Sequence, residues 1–246
     1  MTDTQTTGQP VPQIMPAPIT DPRLSALGAT HGSTFYAHGD MKTAAARKSF
    51  FTRLGIAPAR IMLLHQIHSA DALEVLRADD VARYGFRPRP NADGWILGGG
   101  LRGIGAAVYS ADCAPVFLWD KKAASVAILH CGWRGTVAGF AGKAARRMTE
   151  LGAAGPLNAF IAPHIGACCF EVGPEVACQF NPACVTRKNG RDYADITLEL
   201  TLQLQAAGLN RADIRSAPQC TRCSGETYHS FRRTGRTSAM LSYILL

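Results

Sequence analysis

An α+β fold is what the sequence predicts, and three observations carry the expectation. Short apolar runs and longer segments of helical period are mixed without the regular βαβ alternation of a parallel-sheet domain. Two of the runs, PVFLW at 115–119 and SVAILH at 125–130, flank Asp120–Lys121–Lys122 and read as an antiparallel hairpin. The chain also closes on an apolar strand, AMLSYILL.

Taken in order, residues 1–21 are rich in Thr, Gln and Pro and lack a hydrophobic period, so a flexible tail is expected there. Residues 22–246 show no linker, repeat or low-complexity stretch and are expected to form a single catalytic domain. Asp40 can cap a helix running to Leu54, with Gly55 as its stop. RIMLLHQI at 60–67 begins as a buried strand, and 71–76 and 104–109 read as further strands. The Pro-, Arg- and Gly-rich segment between those last two reads as loop. After the hairpin, CGWRG turns the chain and Thr136 opens a helix. Val137, Phe140, Ala141, Ala144, Met148 and Leu151 recur there at helical spacing, Lys143, Arg146 and Arg147 face outward, and Gly152 ends it. Residues 157–162 return to strand. Over 195–207 the alternation of Ile196, Leu198, Leu200, Leu202 and Leu204 suits a strand, but the Asp195 cap, the length and the AAG ending favour a helix.

Composition narrows the function. Hydrophobic residues make up 47% and charged residues 18% of the 246, enough for a substantial core. No apolar run approaches the roughly 20 residues that span a bilayer, and no secretory signal opens the chain. A cytoplasmic protein without a membrane partner is therefore expected. The net charge of +8 is spread over isolated pairs such as Arg87/Arg89 and Arg146/Arg147, with no basic–aromatic repeat, which argues against a nucleic-acid partner. The surplus suits an anionic substrate such as phosphate. The eight cysteines are expected to be reduced thiols, several of them core residues. Cys168 and Cys169 are adjacent, and Cys220 and Cys223 form a lone CxxC, weak by itself as a sign of structural zinc or redox work.

A hairpin centred near 121–122 places residue 113 opposite residue 130, within one position. Cys113 and His130 then sit together at its open end, and a thiolate beside an imidazole is a partial site for zinc or copper. His65 or His68, in HQIHS, can supply a third ligand. On a strand the two point to opposite faces, so one of them reaches the metal, and the residues alone leave the choice open. The string HCGWRGT at 130–136 turns from strand to helix through two glycines. Its free amides and helix end suit an anion, and Arg134 adds a forked donor. Asp112 and Asp93 can each orient a ligand or carry a proton, or serve simply as turn or cap residues.

The strings HQIHS, NADGWI, SADCAPV, HCGWRGT, APHIGACCFEVGPEV, CTRC and YHSFRRTGRTSAM occur in order from residue 65 to the C-terminus. Together they resemble the laccase-like multicopper polyphenol oxidoreductase family, better described as metal-dependent purine nucleoside phosphorylases. The resemblance implies His68, Cys113 and His130 as metal ligands and catalytic residues. It also implies a four-layer sandwich, helices covering two packed mixed β layers, similar to the fold of toxin deamidases that use a Cys–His pair. The implied activities are phosphorolysis of adenosine, guanosine, inosine and methylthioadenosine, with adenosine deamination. Copper-dependent polyphenol oxidation is the older assignment, and some members are linked to peptidoglycan precursor editing. This sequence departs from the family pattern in three places. Residues 31–38 read HGSTFYAH, Ala46–Arg47 stands for Asn-Arg, and Cys131 stands where Ala is usual.

A zinc enzyme, with copper as the other candidate, is thus expected to act on a purine nucleoside and phosphate, Arg134 and Arg47 serving the substrate. A copper polyphenol oxidase would need further histidine clusters, which seven scattered histidines do not supply. A cysteine-type amide hydrolase would use Cys113 as nucleophile and His130 as base.

Overall fold

A computed structural model describes residues 16–84, 88–122 and 124–246. Two large mixed sheets stack face to face. The four-stranded sheet has the order β1 (Thr30–Ser33), β13 (Met240–Leu245), β5 (Gly105–Ser110), β2 (Ile61–Leu63). The six-stranded sheet runs β12 (Ile214–Ser216), β8 (Asn158–Ile161), β6 (Ala114–Trp119), β7 (Ser125–Cys131), β4 (Gly94–Gly98), β3 (Ala72–Val75). A small third sheet joins β9 (Glu171–Val172), β10 (Val185–Lys188) and β11 (Arg191–Ala194), with the short helix α6 (Pro174–Ala177) between β9 and β10.

Alternation along the strands dictates the layers, because successive side chains leave a strand on opposite faces. Between the large sheets pack Met62, Val108 and Ile244 from one and Trp95, Phe117, Trp119 and Ile128 from the other. The outer face of the six-stranded sheet, with Ile96, Val116, Leu118 and Leu129, is covered by helices α5 (Phe140–Glu150) and α7 (Ile196–Ala206) through Phe140, Ala144, Met148, Leu200 and Leu204. The outer face of the four-stranded sheet, with Ala107, Leu241 and Tyr243, is covered by Phe50 and Phe51 of helix α2 (Ala44–Arg53). Helix, sheet, sheet, helix: this is the four-layer α+β sandwich. Phe117 is wholly buried at its centre, where truncation to Ala would cost about 3–5 kcal/mol.

Several local expectations are corrected. Thr43, not Asp40, caps α2, its hydroxyl accepting from Ala46 N at 3.3 Å. Asp40 instead accepts from Lys42 N and Ala239 N, tying the turn before α2 to the C-terminal strand. The segment read as loop holds helix α3 (Ala78–Tyr84) and strand β4, whose glycines disguise a buried central strand. Gly94 itself is required, since a Cβ there would meet Leu129 and Phe140 at 2.7 and 2.9 Å. The helix expected from Thr136 starts earlier, as α4 (Trp133–Val137), and breaks at Gly139 in the left-handed region before α5. The helix over 195–207 forms as expected, with the Asp195 side chain accepting from Leu198 N at 2.9 Å.

Most of the expected tail, residues 1–15, lies outside the described residues. Its last residues are docked rather than free. Ile19 bridges Ser33, and the buried Asp21 caps helix α1 (Pro22–Ser25) and accepts from Arg23. Among the described residues, no helix is long and apolar enough to cross a membrane.

Candidate active site

Three donors from separate segments meet at the open end of the β6–β7 hairpin, Cys113 just before β6, His130 near the end of β7, and His68 in the connection from β2 to β3. One donor atom each from His68, Cys113 and His130 lie within 4.8 Å of one another. The hairpin that brings in two of them pairs Pro115 with His130, so Cys113 lies two positions beyond the strand partner of His130. The hairpin is centred one residue later than the expected pair, and a one-residue shift of centre moves every pairing by two. Because the side-chain period is also two, Cys113 stays on the expected face.

His68 leaves its segment from a turn with φ of 60°, in the left-handed region that non-glycine residues seldom occupy. A buried carboxylate holds that turn. Asp93 accepts from three successive amides, Ile67 N at 3.2 Å, His68 N at 3.1 Å and Ser69 N at 2.6 Å, and from Ser69 Oγ at 3.0 Å. The same carboxylate takes His130 Nδ1 at 2.8 Å. It therefore fixes the His130 ring and leaves Nε2 turned toward Cys113, the arrangement common around metal-ligating histidines. Asp93 thus serves two of the roles the sequence left open, turn residue and orienting group.

Cys113 is positioned from the other side. Asp112, at φ 91°, accepts from Thr221 Oγ1 at 2.6 Å and from Arg232 N at 2.7 Å, anchoring the bend that presents the thiol. Burial alone would raise the Cys113 thiol, but the neighbouring His130 and His68 outweigh it and bring it down to about 6. Burial likewise works against a charged His130, and the thiolate and Asp93 pull it up to about 9. Gly132 closes the floor: a Cβ there would stand 3.0 Å from the His68 ring and 3.2 Å from Cys113 Sγ. One soft sulfur and two imidazoles, pre-oriented and with no room for another side chain beneath them, fit a zinc or copper ion.

The cluster opens into a cavity of about 610 Å³. Leu64, Tyr109 and Phe231 supply its apolar walls, and Phe231 is exposed at its edge. Gln66 exchanges two hydrogen bonds with the Tyr109 backbone, at 2.9 and 2.7 Å, which fixes that wall. Ser110, only 3% exposed, lines the cavity with a hydroxyl that has no hydrogen-bond partner among the described residues. Lys42, Arg89 and Arg236 bring three cations to the same space.

These cations are what sequence reasoning missed. They come from three distant segments and carry no local motif; only the Gly-Arg-Thr within YHSFRRTGRTSAM marked one of them. The two arginines expected at the substrate, Arg134 and Arg47, do not line this cavity. Arg134 is exposed, stacks on the Trp133 ring at 4.4 Å and does not line the cavity. Arg47 is buried, donates to Met41 O and Lys42 O at 2.7 and 2.6 Å, and so shapes the turn that carries Lys42. His65 lines the cavity but stands outside the three-donor cluster. Cys131 turns into the helix-side core, opposite the ligands.

Residues 35–246 match the family described as multi-copper polyphenol oxidoreductase laccase. The chain is 33% identical over 198 residues to a purine nucleoside phosphorylase of Streptomyces coelicolor, covering 78% of each. It is 36% identical over 147 residues to adenosine deaminase RL5 from an unknown prokaryotic organism, 56% of each chain. Among solved structures, YlmD from Geobacillus stearothermophilus superposes with a TM-score of 0.78 at 27% identity, over 89% of this chain and 92% of that one. YfiH of Bacillus licheniformis, at 24% identity, shares the fold with a TM-score of 0.79 over 89% and 93%.

Proposed function

The chain belongs to the multi-copper polyphenol oxidoreductase laccase family, and on that premise we propose that it is a zinc-dependent purine nucleoside phosphorylase that also deaminates adenosine. The observation that carries the reading is one cavity holding a three-donor metal cluster and three cations. A cavity of this size suits a nucleoside, and clustered cations suit phosphate. Relatives named purine nucleoside phosphorylase and adenosine deaminase support the same choice.

His68, Cys113 and His130 would hold the ion, which supplies Lewis-acid polarisation when bound. The remaining work falls to this chain's own groups. Arg236, Lys42 and Arg89 hold the phosphate dianion and lower the repulsion it meets on approaching the sugar. Phe231 offers a ring face to the purine, and Ser110 Oγ hydrogen-bonds a substrate hydroxyl or ring nitrogen. Asp93 retains the proton on His130 Nδ1, so that ring does not turn during the reaction. In the reaction a phosphate oxygen bonds to the anomeric carbon while the bond to the purine nitrogen breaks. The purine leaves with the electron pair and receives the proton that the phosphate carried.

A second reading, a cysteine-type amide hydrolase, has the Asp93–His130–Cys113 hydrogen-bonded series and the lowered Cys113 thiol in its favour. It leaves His68 without a role. A laccase needs further copper centres. Among the described residues, no second histidine-containing cluster exists, and the other buried histidines are engaged, His164 for instance with Ala162 O and Thr197 Oγ1.

The test is an assay of inosine and adenosine, with and without phosphate, on zinc-loaded and chelator-treated protein. Free base and ribose 1-phosphate in amounts that follow added phosphate, and only in the zinc-loaded protein, are expected. Free ribose at the same rate without phosphate would refute phosphorolysis. Turnover of amides undiminished by chelation would favour the hydrolase.

A further inference from the structure

Four cysteines that the proposed reaction does not use converge behind the cavity wall. Cys168 and Cys169 sit in the turn that precedes β9, and Cys220 and Cys223 in the turn that follows β12. The two turns are joined by a parallel bridge between His164 and Cys220 and by Thr221 N donating to His164 O at 3.0 Å. All four sulfurs lie within 4.8 Å of one another. Cys168 Sγ is 3.6 Å from Cys169 Sγ and 3.7 Å from Cys223 Sγ. Four sulfurs at the usual zinc–sulfur distance of about 2.3 Å form a tetrahedron with edges of about 3.8 Å. The observed spacings are therefore close to those of a tetrathiolate centre.

The surroundings suit the charge of such a centre. Gly166 N donates to Cys220 Sγ at 3.2 Å, and its lack of a side chain eases the close approach, since a Cβ would stand 3.3 Å from the Cys220 Cβ and 3.4 Å from Cys168 Sγ. The Arg222 guanidinium interacts electrostatically with Cys169 and Cys220 and offsets part of the two negative charges that four thiolates leave around a dication. Cys169 and Cys220 are buried while Cys168 and Cys223 are exposed, so an ion can enter from solvent and be closed in by all four.

We propose that Cys168, Cys169, Cys220 and Cys223 form a second, structural zinc site that fastens the C-terminal wall of the cavity. Loading exchanges four S–H bonds for four S–Zn bonds and releases four protons to solvent, with no change of oxidation state. Four protein ligands leave no open position, which sets this site apart from a catalytic one. What it fastens follows from the chain. Residues 220–223 are continuous with Thr221 and Arg232, the two donors to Asp112 beside Cys113, and with Phe231 and Arg236 on the cavity wall.

The two sites separate cleanly by mutation. Cys113→Ala protein, purified with zinc under reducing conditions and dialysed, should keep about one zinc per chain. Adding Cys168→Ser and Cys223→Ser, both at exposed positions, should bring that to about a tenth of an equivalent or less. In the same Cys113→Ala protein, cobalt(II) in place of zinc should show strong thiolate-to-cobalt charge-transfer absorption, because the other cluster has lost its sulfur. Zinc should also shield Cys168 and Cys223 from alkylation, read by peptide mass. Absence of zinc and of that absorption in Cys113→Ala protein overturns the site, as does a disulfide among the four that persists in the zinc-treated reduced protein. Undiminished zinc in the Cys168→Ser/Cys223→Ser variant overturns the ligand set. Loss of zinc from the His68–Cys113–His130 cluster alone bears on the proposed reaction and leaves this site untouched.

Discussion

The two donor clusters of this molecule are built in contrasting ways. The His68–Cys113–His130 cluster draws one residue from each of three segments, mixes nitrogen with sulfur, and faces a cavity. The four-cysteine cluster draws two residues from each of two turns, uses sulfur alone, and lies outside the cavity lining with two exposed members. Orientation is supplied differently as well. A buried carboxylate holds the first cluster's histidines, whereas backbone amides and an arginine serve the second. The difference teaches that an open site of the kind proposed needs rigid support from outside its ligands, because an ion held there would have to bind a changing fourth partner. A closed site is rigid through its own four bonds.

The sharpest way to break the comparison is to remove one ligand from the open site. Cys113→Ala should abolish metal retention there and lower turnover by about 1,000-fold, since nothing nearby replaces a thiolate. His65→Ala should keep both metal and activity. Metal analysis and phosphorolysis rates on the two variants check this, and metal loss in His65→Ala would reassign the third ligand.

Next in size is the support itself. Asp93→Asn removes the charge that holds three amides and the His130 ring, and should weaken zinc binding at this site by about 10–100-fold. A competition titration with a chromophoric chelator measures it. Burial pushes the Asp93 carboxyl up, yet the hydrogen bonds from His130 and Ser69 prevail and hold it below its usual value of 3.8. Its contribution to stability is thus present above that value and disappears as pH falls through the lower, folded one. The acid limb of a plot of melting temperature against pH should flatten in Asp93→Asn. An unchanged limb would mean that the carboxylate only fills space.

How much of the fold and the site is legible in the sequence depends on how local each feature is. The hairpin and the α5 and α7 helices are readable because their periods are written in contiguous residues. The sequence strings point to the donor set, but its geometry depends on a turn at φ 60° that no propensity announces. Strand β4 is hidden by glycines that are there for close packing, not for turning. The cations are hidden for another reason: Lys42, Arg89 and Arg236 look like ordinary surface charges until the fold brings them to one cavity.

The cavity cations give the next effect in size. Arg236→Ala should raise the Michaelis constant for phosphate about 10-fold, as expected for losing one charge-assisted contact at a partly solvated site, with zinc content unchanged. An unaltered phosphate dependence would remove Arg236 from the anion site and leave Lys42 and Arg89 to carry it.

The smallest expected effect belongs to Arg134, the residue whose sequence setting looks most like an anion site. It lies in the first turn of α4, two residues after the capping Gly132, where free amides and a helix end favour negative charge, and a guanidinium there would add a fork. The fold uses those features otherwise. Gly132 O accepts from Thr136 N at 2.8 Å to start the helix, and Gly132 itself is occupied in forming the floor beneath the donors. The Arg134 guanidinium lies over Trp133 at 4.4 Å, exposed and outside the cavity. An exposed cation–π contact contributes about 0.5–1 kcal/mol, which in a chain of this size is about 1–3 °C of melting temperature. Arg134→Ala should show that small shift, with zinc content and phosphate dependence like the parent's. A 10-fold rise in the Michaelis constant for phosphate would return the anion site to the 130–136 turn and take the phosphate-holding role away from Lys42, Arg89 and Arg236.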